Sequence, residues 1–191
     1  MFRKLATAAA ALMLATLAVY GAHLWVQSER RMAGDRALLM TASWPEGAAL
    51  AARLMVEQYG PPQWASAGQL EWASAAPWKR IVVRGRGMGF LEQAIVYRLP
   101  QDRLGELWSF GRGLRPDLER GELAVTGESE EYNLLCLNLA NDIALGRMNA
   151  EQARKVHDDI VRKSYAGKSS PYLERLLFGT ALPDEGVLPM P

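Results

Sequence analysis

What most constrains this chain is an apolar run near its start. Residues 1–31 read MFRKLATAAAALMLATLAVYGAHLWVQSERR. After the basic pair Arg3 and Lys4, about 22 residues from Leu5 to Val26 are interrupted only by threonines, Tyr20, Gly21 and His23. As a helix rising roughly 1.5 Å per residue, the run is ~33 Å long, enough to cross a bilayer core. It predicts a single-pass anchor, with Trp25 where an interfacial aromatic belongs and Glu29, Arg30 and Arg31 just beyond it. The same residues fit a secretory signal, with Val19-Tyr20-Gly21 as a small-residue cleavage pattern. Arg30, Arg31 and Arg36 nearly balance the N-terminal charges, so the positive-inside rule discriminates weakly and a cytosol-facing anchor stays open. No cysteine lies nearby, which excludes lipoprotein attachment. Both leading readings export the remainder: an inner-membrane protein with a periplasmic domain, or a secreted or periplasmic one after cleavage.

The rest of the chain suits one folded unit. Its 191 residues can bury a sizeable core but are few for two domains. With 22 basic and 21 acidic residues there is no strong long-range field, so a nucleic-acid partner has no electrostatic support. The single cysteine, Cys136, excludes an internal disulfide and any multi-cysteine metal site, though not an oxidising compartment.

The periodicities predict an α+β fold: an N-terminal transmembrane or signal helix over 1–28, a linker over 29–42, and one domain over 43–179. A flexible tail over 180–191 closes the chain. Ser43-Trp44-Pro45-Glu46 fits a capping box, and Tyr59-Gly60-Pro61-Pro62 stops the helix it opens. Strands are expected at Gln69–Ser74, Trp78–Arg84 and Leu91–Leu99, with a fourth near Gly121–Thr126. That makes a small antiparallel sheet of three or four strands, the second and third joined by a glycine-rich turn. Pro100-Gln101-Asp102 opens a short helix through Trp108. The C-terminal third reads as helices over about 129–146, from Asn149 to about Tyr165, and from Ser170-Pro171 to Phe178.

Residues 133–146, NLLCLNLANDIALG, mix leucines with asparagines. At ~100° per residue, Leu135, Leu139, Ile143, Cys136, Ala140 and Leu137 share one broad arc, the core face. Asn138, Asn141 and Asp142 fall opposite and read as a wet face. Asn133 alone sits within the apolar arc, where a cap or backbone contact could use it. Leu134 and Leu145 lie on the polar side, so a second element covering it would make Asn138 and Asp142 a partly buried pair. A ligand role for that pair is the sharper alternative.

Chemistry is sparse. Cys136 reads as a core thiol. His157 has no second histidine in the domain, which leaves zinc unsupported, and its neighbour Asp158 points elsewhere on a helix. Gly85-Arg86-Gly87-Met88-Gly89 lacks dinucleotide spacing and reads as a hairpin turn, so no cofactor is implied. Lys79, Arg80, Arg84 and Arg86, a small basic cluster interleaved with Trp78, are either solvated sheet charges or a contact for an acidic partner surface or anionic headgroup. Trp44, Trp64, Trp72 and Trp78 cluster within 35 residues; Trp72 and Trp78 are the stacking candidates for a sugar or other small ligand.

YGPP, Leu70-Glu71-Trp72, Pro77-Trp78-Lys79-Arg80, LEQAIVYRLP and NLLCLNLANDI, spread over about residues 44–165, together resemble a set of uncharacterised bacterial envelope proteins with N-terminal signals or anchors. The resemblance implies a place in the cell envelope rather than an activity. It also implies a longer segment, with histidine and proline, where this chain has only GRGMGF before LEQ. The resulting expectation is a membrane-anchored, non-enzymatic interaction or accessory module with an envelope protein partner. The competing one is a secreted or periplasmic small-molecule or glycan binder using exposed Trp72 and Trp78 with Asn138 and Asp142.

Overall fold

The computed structural model describes residues 2–87 and 89–180; the side chains of residues 2–18, Met88 and residues 181–191 lie outside it, and with them nearly all of the expected tail. Helix α1 runs unbroken over Phe2–Met40. No proline interrupts this stretch, and the expected linker is therefore helix for most of its length. Leu5–Ala18, most of the run on which the anchor expectation rests, fall among the side chains not described. Among the described residues, no helix is long and apolar enough to cross a membrane. From Val19 onward α1 stands clear of the domain, with Val19, Tyr20 and Trp25 largely exposed. Only its last turns pack: Ala37 is buried, as is Thr41 just past the helix end, and a Cβ at Gly34 would lie 3.1 Å from Val56 Cγ1 of the following helix.

That helix, α2, spans Glu46–Tyr59. The expected capping box does not form, because Pro45 sits outside the helix at φ −53° and ψ 147° and no side chain caps the end. Trp44 turns inward instead and donates its indole N–H to the Ala67 carbonyl at 2.8 Å. Its ring lies over Gly85, where a Cβ would come within 2.5 Å of the indole nitrogen. Gly60, at φ +80°, ends the helix where its two following prolines require.

The sheet is larger than the three or four strands expected. Six antiparallel strands, β1 (Trp64–Ala65), β2 (Gln69–Ala75), β3 (Trp78–Arg84), β4 (Leu91–Val96), β5 (Leu114–Asp117) and β6 (Glu122–Gly127), are ordered β1-β2-β3-β4-β6-β5. The two unforeseen strands are the edges. β1 has too few residues to show alternation. β5 contains Pro116, which an edge strand tolerates because one side of its backbone needs no partner. Leu70, Trp72, Ile81, Val83, Leu91, Ile95, Leu123 and Val125 enter the main core beneath the helices.

Helix α3 (Leu104–Phe110) follows a 3-10 turn at Gln101–Arg103. α4 (Glu130–Ala144), capped by the Ser129 hydroxyl accepting from the Tyr132 amide, lies on the core face of the sheet. α5 (Ala150–Tyr165) has the capping box that α2 lacks, Asn149 with Gln152, and packs against α3 and α4. α6 is a single turn, Pro171–Glu174, not a helix to Phe178; with the irregular chain that follows it, it crosses α4 as a strap.

Candidate functional site

The residues singled out in the sequence end up in three different places. Trp72 and Trp78 are wholly buried. Their indole N–H groups donate to the Gly60 carbonyl at 2.9 Å and the Tyr59 hydroxyl at 2.8 Å. Both therefore pin the end of α2 to the sheet, and neither can stack on a ligand; the expectation of exposed tryptophans at 72 and 78 is corrected. Tyr59 in turn donates to Glu130 at 2.8 Å, Glu130 accepts from Gln93 at 2.9 Å, and Gln93 accepts from Asn133 at 2.9 Å. Asn133 also donates to the Leu91 carbonyl, so this asparagine does make the backbone contact foreseen for it. The YGPP, PWKR, LEQ and NLL motifs thus meet in one polar seam between sheet and helices. Burial and the nearby Glu130 carboxylate push the Tyr59 hydroxyl far above its ordinary value, which keeps it a neutral donor.

Asn138, Asn141 and Asp142 are buried, which corrects the wet-face expectation. The element that covers them is the strap. Asn138 donates to the Tyr172 and Arg175 carbonyls at 3.0 and 2.8 Å, and accepts from the Leu177 amide at 2.8 Å. Asp142 takes the Tyr172 hydroxyl at 2.6 Å and Arg147 at 2.9 Å. That hydroxyl is pushed up to about 12, first by its bond to Asp142 and then by burial. Asn141 accepts from Tyr97 at 2.9 Å, and the Tyr97 ring meets Phe178 edge-on. Asn138 and Asp142 bind the chain's own C-terminal segment rather than each other.

Lys79, Arg80 and Arg84 do converge, on the sheet face turned away from the helices. There Glu92 receives Arg80, Arg84 at 3.0 Å and Arg115 at 3.6 Å. Glu122 receives Lys79 at 2.6 Å and Arg80 at 3.6 Å. Val82, Ala94 and Ala124 lie on this face by strand register and are buried, yet stand outside the main core. The arginine stems act as their roof. Burial alone would raise the Glu92 carboxyl; the hydrogen bond and charge of Arg80, with Arg84, outweigh it and hold the group below the ordinary carboxylate value. Four cations surround two carboxylates, and Arg115 leaves 67% of its side chain exposed. Glu92, Glu122 and Arg115 were not foreseen as partners. Strand alternation put Glu92 on the polar side, but only the strand order places β6 beside it and β5 one strand further, within reach of Arg115.

The remaining candidates are structural. Cys136 is buried, its thiol pushed up to about 12 by burial against smaller lowering effects of Tyr132 and Arg112. His157 is buried edge-on to Tyr132 and Phe110. Its Nδ1 does reach Asp158 Oδ1, at 2.9 Å, contrary to the divergent directions expected of helix neighbours. Among the described residues, no group of three or more histidine, cysteine or carboxylate side chains could hold a metal ion. No protein-family model, curated protein or solved structure matches the chain.

Proposed function

We propose that this protein is a membrane-anchored, non-enzymatic interaction module. On this reading α1 holds it to the inner membrane and the domain faces the periplasm, with the arginine-roofed sheet face as its contact surface. The supporting observation is the cluster of Lys79, Arg80, Arg84 and Arg115 gathered over Glu92 and Glu122, with Arg115 largely exposed. Such a face suits an acidic protein surface, because its cations are positioned in advance and bind with little further loss of side-chain freedom. Tethering beside a bilayer raises the effective concentration of membrane-bound partners, so modest affinity suffices.

The test is affinity purification of the full chain from mild detergent, alongside an Arg84→Glu/Arg115→Glu variant. The wild type is expected to retain a stoichiometric acidic partner that is released by moderate salt and absent from the variant. Recovery of the bare wild-type protein, or a partner that the variant retains, overturns the proposal.

A further inference from the structure

At the β1 end of the same sheet face lies a shallow groove of about 380 Å³, lined by Gln63, Trp64, Gln69, Glu71 and Ala73. Trp64 is 53% exposed, whereas Trp44, Trp72 and Trp78 are buried with their N–H groups satisfied. Register puts Trp64 directly opposite Glu71, and opposed residues of an antiparallel pair project from the same face. One flat aromatic surface therefore stands beside a carboxylate, with two primary amides around it. Gln63 turns its carbonyl oxygen to the Ala73 amide at 2.8 Å, leaving its NH2 end for a ligand. Gln69 donates to Glu71 at 3.3 Å, leaving its own carbonyl oxygen as an acceptor. Ala73 is the small residue that leaves the floor open.

We propose that this groove is a saccharide subsite. A pyranose ring lays its apolar C–H face on the Trp64 indole while its hydroxyls donate to Glu71 and Gln69 and accept from Gln63. The alternatives fit less well. No cation lines the groove, which disfavours phosphates and other anions. The groove is too open to enclose most of an apolar ligand, as a drug-like pocket does. An added β-strand would need the Ala73 amide, which Gln63 already occupies. This inference is independent of the protein partner proposed above: it uses a different set of side chains, and its test does not involve Arg84 or Arg115.

The test uses the uniformly 15N-labelled full chain in a detergent without a sugar headgroup. Six tryptophans give distinguishable indole N–H signals, and Trp64→Ala identifies the Trp64 signal by its loss. Titration with cellotriose and with N-acetylchitotriose is expected to shift the Trp64 signal at low-millimolar concentration for at least one of them. The backbone amides of Gln69 and Glu71 should move with it, and the Trp72 and Trp78 signals should stay in place. Glu71→Gln, which keeps the shape and removes the charge, should weaken binding several-fold. Absence of any Trp64 shift at 20-fold higher sugar, on the order of tens of millimolar, overturns the inference. So do amide shifts that persist unchanged in Trp64→Ala, or a stronger response to choline than to either sugar.

Discussion

Asn138 shows how much one side chain can hold in place. Its amide group makes three hydrogen bonds, all to main-chain atoms of the strap over residues 172–177. At about 1 kcal/mol net each, Asn138→Ala is expected to cost about 2–3 kcal/mol in urea unfolding. Protease cleavage between residues 166 and 180 should accelerate more than cleavage elsewhere; an unchanged digestion pattern would mean that the strap is held by other contacts. The sequence marked Asn138 as polar on a leucine-rich helix and noted that flanking Leu134 and Leu145 suited a covered face. Whether that face was wet depended on a segment some 35 residues later, too short and irregular to carry a periodic signal. In the structure Leu134 is buried and Leu145 exposed, so the cover stops between them.

The sheet makes its argument one level up, where single residues matter through their strands. β4 brings Glu92 between β3 and β6, and cations from β3 and β5 close over it. Because the folded Glu92 carboxyl lies below its ordinary value, the ion pairs stabilise the protein above that value. The contribution disappears as pH falls through the lowered folded value. Glu92→Gln should therefore reduce stability at neutral pH by about 2–3 kcal/mol and flatten the loss of stability on acidification below pH ~4.5. Urea midpoints measured from pH 7 to pH 3 check this, and parallel curves for variant and wild type would refute it. The four interior strands were legible from alternation and from the glycine turn. The outer two were not, because β1 is a dipeptide and β5 breaks the pattern with Arg115, Pro116 and Asp117. Without them the arginine face lacked its fourth cation and the Trp64 groove lacked its wall.

For the whole molecule, the apolar run predicts that the mature chain retains Leu5–Val26 and stays in the membrane fraction after alkaline carbonate washing. Fractionation with a mass measurement decides this; a shortened, soluble chain would instead establish a cleaved signal. If the run is retained, α1 has a mechanical consequence. Gly34, which already rests on Val56, comes only eight positions after Val26 in the same unbroken helix. That is roughly 12 Å of rigid rod. The domain would then be mounted like a sign on a short post, with its height set by the bilayer. It could swivel about the membrane normal as the helix rotates, but it could not lean over to search, and its partners would have to present themselves at that one level.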